Sequence, residues 1–151
     1  MKTLRNRRDT DQILCRVQRV RPGMLRRWGK MSAHQMICHL SDGFRLYMGF
    51  MSVAAPGFPS PGKLLQWGGL WVPIRWPKGL QTVPELDQQI GGTRPVEFDR
   101  DVAELCSLLH RFSRNPPQFN WPHPYLGRMP IAAWMRLGYL HSDHHLRQFG
   151  V

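Results

Sequence analysis

The sequence predicts an all-α protein: a four-helix bundle with a long Pro/Gly/Trp-rich crossover between its second and third helices. Three observations lead there. Four separate segments carry apolar residues at alternating steps of three and four, the spacing of one helix face. Helix start and stop residues stand at the ends of those segments. The stretch between the second and third, residues 50–95, has neither property and is punctuated by proline and glycine.

The first segment runs from about Thr10 to Val20, with Ile13, Val17 and Val20 on one face and Pro22–Gly23 to stop it. The second opens at Ser32. Gln35 follows three residues later, and such a pair caps a helix start reciprocally. Met36, Leu40, Phe44 and Tyr47 form its stripe, and Gly49 is its expected end. In the crossover, Pro56, Pro59, Pro61, Pro73, Pro77 and Pro84 exclude long regular helices. Trp67, Trp71 and Trp76 make the stretch too apolar for a disordered linker, so it is expected to pack over the bundle, with a short helix near Lys63–Trp71. A connection this long is either a functional lid or a cover for the core. The third segment places Phe98, Val102, Leu105, Leu109 and Phe112 on one face and closes at Asn115–Pro116–Pro117. The last opens with Pro130 at its first helical position and runs to about Phe149, before Gly150.

The totals bound the function. A length of 151 residues suits a single domain, residues 1–151, with one core. The basic start lacks a following apolar run, so it is not read as a secretory leader. The most apolar stretch, Leu64 to Trp76, is broken by Gly68, Gly69, Pro73 and Arg75 and is no membrane span. Cys15, Cys38 and Cys106 are odd in number and widely spaced; they are expected to be reduced, mostly buried thiols of a cytoplasmic protein. The net charge of +11 is uneven: residues 1–30 hold ten Lys or Arg against Asp9 and Asp11. Such a segment attracts anions without selecting among them, and no nucleic-acid-reading motif accompanies it.

The chemistry concentrates in histidine. On the last segment the stripe Ile131, Trp134, Met135, Gly138 continues by helical steps into His141 and His145. Four residues apart, the two imidazoles lie about 40° apart in azimuth and one turn apart in height, which lets both reach one metal ion. His39, beside Met36, Leu40 and Gly43 on the second segment, is the best third ligand; His34, in the first turn, is weaker. His144 is an alternative ligand or a group supporting one, and Asp42, three residues after His39, is a candidate to orient that imidazole. His110 and His123 have no comparable periodic placement. Seven histidines make a chance i, i+4 pair ordinary, so spacing alone does not establish a metal site. A zinc protease is excluded, because Ser142 stands where H-E-x-x-H needs glutamate. Asp143 points away from both histidines and reads as a surface residue.

Three stretches carry a family resemblance: W-G-K-M-S-A-H-Q-M-I-C-H-L at 28–40, H-P-Y-L-G at 123–127 and W-M-R-L-G-Y-L-H-S-D-H-H-L-R-Q-F at 134–149. In these the sequence resembles the DinB-like superfamily of four-helix metalloproteins, and within it a branch of small uncharacterised bacterial members. The resemblance covers most of the chain and is weakest at about residues 50–80. It implies one histidine on the second helix and H-x-x-x-H on the fourth, which are His39, His141 and His145 here. It also implies one divalent metal ion, with ligand chemistry suiting zinc or nickel. The superfamily includes enzymes that use a low-molecular-weight thiol, so a metal-dependent thiol S-transferase with an open metal position is the leading expectation, the site facing a pocket lined partly by Trp67–Trp76. Arginines near its mouth would hold the cosubstrate's carboxylates. The rivals are a non-catalytic binding protein braced by its metal and, through the basic start, a nucleic-acid binder. The expected partner is a thiol, with neither specific nucleic acid nor membrane, and a homodimer is an option the sequence leaves open.

Overall fold

A computed structural model describes residues 1–54, 63–118 and 121–151; side chains are described within these except at 63–65. Among the described residues five α-helices form: α1 (Arg7–Gln18), α2 (Ala33–Tyr47), α3 (Lys63–Trp71), α4 (Phe98–Arg114) and α5 (Ile131–Gln148). One 3-10 turn, Pro84–Leu86, precedes α4. Among the described residues there is no strand, only an isolated bridge between His123 and Gly127. Among the same residues no helix is long and apolar enough to cross a membrane.

The helix ends follow from capping. Asn6 accepts the amides of Arg8 and Asp9 and so starts α1 three residues ahead of the expected Thr10. Ser32 and Gln35 make the reciprocal capping box on α2. Gly49, at φ +75°, takes the left-handed conformation just past the end of α2. Glu97 accepts the amides of Asp99 and Arg100 at the start of α4. Pro130 caps α5 from outside, so Ile131 is the first helical residue.

The four long helices form a ring in which α1 packs on α4 and α5, and α2 packs on α4 and α5. Chain neighbours α1 and α2, like α4 and α5, thus face each other diagonally. The consequence for function is that α2 lies directly against α5. The expected stripes meet in the middle: Ile13, Val17, Met36, Leu40, Phe44, Leu105, Leu109, Phe112, Trp134 and Met135 are essentially removed from solvent. Each such side chain contributes about 1.5–3 kcal/mol through burial. The rings of Phe44 and Phe112 meet edge to face at 5.3 Å.

Two expectations about the core need correction. Ile131 is 45% exposed and not part of the inward stripe, which begins at Trp134. In the first turn of α5 the inward positions fall to Ala133 and Trp134 instead. Cys15 is exposed while Cys38 is buried and Cys106 half-buried; all three are free thiols. Asp143 is also more than a surface residue. Arg16 of α1 donates to its Oδ1 at 2.7 Å and Arg147 sits 3.0 Å from its Oδ2, so it ties α1 to α5.

The crossover covers the core and also reaches the site. Leu70, Val83 and Leu86 are buried in the apolar cluster. Pro56, Pro59 and Pro61 lie outside the described residues.

Candidate metal centre

His39 stands in the middle of α2, and His141 and His145 one turn apart in α5, so the α2–α5 packing brings the three imidazoles together. Their ring centroids are 5.0 Å (His39–His141), 4.6 Å (His39–His145) and 4.8 Å (His141–His145) apart, each pair edge to face. One ligand atom from each lies within 4.8 Å of the others. Gly43, one turn after His39, makes room: a Cβ there would meet Cε1 of His141 at 3.0 Å.

Each imidazole is held through Nδ1. His39 Nδ1 donates to the Leu86 carbonyl at 2.9 Å, a contact delivered by the crossover. His145 Nδ1 donates to Gln148 Oε1 at 2.7 Å, and the Gln148 amide is itself oriented by donating to the Trp28 carbonyl. His141 Nδ1 lies 3.0 Å from the Tyr47 hydroxyl. A carbonyl partner forces the proton onto Nδ1, so His39 and His145 present Nε2 lone pairs. The Nε2 atoms of His39 and His141 are only 3.1 Å apart. Two neutral lone pairs at that distance repel unless a proton or a cation lies between them. Around a tetrahedral ion with nitrogen at about 2.0–2.1 Å, ligand nitrogens stand roughly 3.3 Å apart, so the spacing fits. Three convergent nitrogens, each with its far nitrogen anchored, form the arrangement that zinc-type ions require.

The electrostatics agree with that donor set. Burial pushes the basicity of His39 down, and burial together with repulsion from neighbouring histidines pushes His141 and His145 well down. All three rings are therefore neutral at pH 7, the form that coordinates metal. Burial also raises the Tyr47 phenol, so its O–H keeps its proton. That hydroxyl can donate to His141 Nδ1 or accept from Nδ1–H, and it suits either tautomer of His141.

Other sequence candidates go elsewhere. Asp42 does not orient His39. Its buried carboxylate takes the Thr93 amide at 2.9 Å, the Thr93 hydroxyl at 2.6 Å, Gln88 Nε2 at 3.3 Å and Arg45 at 2.7 Å. It thereby pins residues 88–93 of the crossover to α2, helps to place the Leu86 carbonyl, and acts on His39 through its charge alone, which partly offsets the effect of burial. His144 is outside the ligand group. Its ring rests edge-on against Trp28 at 6.1 Å and His145 at 5.1 Å, and its buried Nδ1 meets no partner among the described residues. His34 turns toward α4, where its Nε2 meets Asp101 Oδ2 at 2.7 Å. Cys38 also faces Asp101, at 3.7 Å. These three form a second group with ligand-type atoms within 4.8 Å of one another. There, however, the Asp101 oxygen is already shared by His34 and the Val96 amide. Burial, with Asp101 adding to it, pushes the Cys38 thiol up to about 12. The group therefore works as a strap between α2 and α4, and neither His34 nor Cys38 is in place to cap the three-histidine site.

The expected pocket also lies elsewhere. Pro73, Ile74, Arg75 and Trp76 do line a cavity, of about 380 Å³, but none of the three histidines borders it. Its α5 residues, among them Arg136, Tyr139 and Asp143, occupy the side of the helix opposite His141 and His145.

A protein-family profile described as "Protein of unknown function (DUF1569)" matches residues 4–150, almost the whole chain. The chain belongs to the DUF1569 family. No curated protein and no solved structure gives a significant match. The family match spans all three histidines of this DUF1569 chain and both helices that carry them. What the sequence missed are the anchors of the imidazoles: Tyr47, Gln148 and the Leu86 carbonyl.

Proposed function

We propose that this DUF1569 chain is a DinB-like metalloprotein in which His39, His141 and His145 hold one divalent ion, zinc or nickel, through their Nε2 atoms. The observation that carries the reading is the convergence of three imidazoles whose Nδ1 atoms are already bound, to Leu86, Tyr47 and Gln148. We further propose that the site serves a metal-dependent S-transferase acting with a low-molecular-weight thiol. This step is supported by the resemblance at 28–40 and 134–149 and by a donor set that, among the described residues, ends at three nitrogens, since a structural zinc site ordinarily has four protein ligands. A divalent ion held there supplies Lewis acidity, lowering the pKa of a thiol brought to it.

The chain's own residues supply the rest. The Leu86 carbonyl and Gln148 hold their imidazoles in the Nδ1–H tautomer, and Tyr47 completes the set by accepting the Nδ1 proton of His141. Packing of Val83 and Leu86 over the α2 side excludes water from His39, which is 4% exposed. His141 and His145 are half-buried and so keep contact with solvent. A second reading, a non-catalytic protein whose metal braces α2 to α5, is favoured by the burial of His39 and by the absence of these histidines from the cavity that residues 73–76 line.

The two readings separate on ligand exchange. In a cobalt- or nickel-substituted protein, adding bacillithiol, mycothiol, glutathione or coenzyme A should produce a thiolate-to-metal band for at least one thiol if the site is open. A visible spectrum unchanged by all four contradicts the transferase reading and leaves metal binding itself standing.

A further inference from the structure

We propose that the cavity on the outer face of α5 binds a small organic oxyanion, a phosphate or carboxylate carried on an apolar body, at a site separate from the three histidines. The cavity is an open cleft of about 380 Å³, room enough for a small molecule. Four cations line it, Lys2, Arg75, Arg136 and Arg147, against one carboxylate, Asp143. That carboxylate is already engaged by Arg16 at 2.7 Å and by Arg147 at 3.0 Å.

Arg136 decides the sign of the ligand. Its side chain is buried, with the residue 7% exposed, and its guanidinium donates to two backbone carbonyls, those of Leu70 and Lys2. No described carboxylate forms an ion pair with it. Asp143 and Asp9 act on this cation only from beyond ion-pair distance, and a buried cation whose direct partners are carbonyls is costly, so an anion entering the cavity relieves part of that cost. Burial weakens the hold of this guanidinium on its proton, and the distant carboxylates of Asp143 and Asp9 offset this only in part. Arg75 adds an exposed cation to the wall with no partner among the described residues.

The body of the ligand is set by the remaining walls. The Trp76 indole is fixed by its N–H bond to the Gly69 carbonyl at 2.8 Å. Tyr139, Leu140 and Ile74 complete an apolar lining. A concave, partly aromatic site fits a compact molecule, whereas a nucleic-acid backbone calls for an extended cationic track. The site does not depend on the metal, because none of the three histidines lines it.

The test is calorimetric titration of the full chain, stripped of metal with EDTA and held at low salt. The probes are phenyl phosphate, benzoate, inorganic phosphate and, as the neutral control, benzyl alcohol. At least one aromatic anion should bind one to one and saturate, weakening with salt, while benzyl alcohol does not; the tighter headgroup identifies the oxyanion. Arg75→Gln should weaken binding about tenfold, the loss of one charge-assisted contact, with no change in melting temperature. Arg136→Met should abolish it, and because that variant can also disturb the fold, Arg75→Gln is the deciding one. Absence of saturable binding by both aromatic anions, equal binding of benzyl alcohol, or unchanged affinity in a folded Arg75→Gln would overturn the proposal. Displacement of the probe by a short DNA duplex at equal phosphate concentration would overturn its small-molecule form.

Discussion

Two glycines on facing helices allow the site to be perturbed separately from the fold. Gly43 of α2 and Gly138 of α5 are both helical, and replacing either with alanine gains about 1 kcal/mol of helix propensity. Their surroundings differ. A Cβ on Gly43 would lie 3.0 Å from His141 Cε1 and 3.2 Å from its Nδ1. Since ordinary contact begins near 3.4 Å, the ring must yield by roughly 0.2–0.4 Å, which pulls on the 3.0 Å contact between its Nδ1 and the Tyr47 hydroxyl. The shift carries Nε2 with it. Disturbing the groups that orient a metal ligand lowers affinity about 10–100-fold, or about 1.4–2.7 kcal/mol. Gly43→Ala should therefore leave the metal-free protein within about 1 kcal/mol of the parent while metal binding falls by that factor. At Gly138 the three nearest atoms to a Cβ belong to core residues, Leu4 Cδ1 at 2.9 Å, Phe112 Cε1 at 3.1 Å and Phe44 Cε1 at 3.4 Å. Overpacking of about 1–3 kcal/mol less the helix gain leaves Gly138→Ala destabilised by up to about 2 kcal/mol, with metal affinity unchanged. The assays are urea unfolding of the metal-free forms and competition for metal against a chromophoric chelator. Unaltered metal affinity in Gly43→Ala would refute the placement of His141 in the site.

Other consequences are as direct. Burial holds His123 at about 4, against an ordinary value near 6.5, so the unfolded chain takes up a proton that the folded chain refuses. The stability linked to this residue is complete above pH 6.5 and falls by about 3 kcal/mol as pH drops from 6.5 towards 4. His123→Asn keeps an acceptor for the Tyr125 and Leu126 amides, which His123 Nδ1 now takes at 3.2 Å, and should flatten that part of the pH–stability curve; an unchanged curve would contradict the assignment. Asp143→Asn should cost about 1–2 kcal/mol in urea unfolding by weakening the Arg16 tie between α1 and α5, and a loss near zero would show the tie to be inert. Gel-shift titration should find only weak, salt-sensitive DNA association through residues 1–30, because Arg16, Arg21 and Arg26 there already bond within the protein; sequence-selective binding surviving moderate salt would contradict this.

The sequence made the bundle readable because periodicity and capping are local. Ser32 and Gln35 announce the start of α2, and the stripe on α5 runs into His141 and His145 without a break. The anchors of the imidazoles were readable to different degrees. Gln148 stands three residues from His145, a spacing at which helical side chains meet, and a tyrosine on an inward stripe needs a partner for its hydroxyl, so both carry a signal in the sequence. The Leu86 carbonyl carried none, since a backbone group brought in by a loop has no side-chain signature. Asp42 misled for the same spacing reason: an i, i+3 neighbour of His39 was within reach, but the Thr93 amide and hydroxyl compete for the same carboxylate. The Trp-rich crossover was expected over the histidines because apolar composition says that a segment packs, not on which face of a helix. Its residues 73–76 instead wall a cavity on the far side of α5.

The central claim, that three histidines from facing helices hold one ion, is tested most directly by elemental analysis of untagged protein alongside its variants. The parent should carry about one divalent ion per chain, His145→Ala should lose most of it, and a His39→Ala/His141→Ala/His145→Ala variant that keeps its helical circular dichroism should carry none. Full metal occupancy in that triple variant would contradict the account.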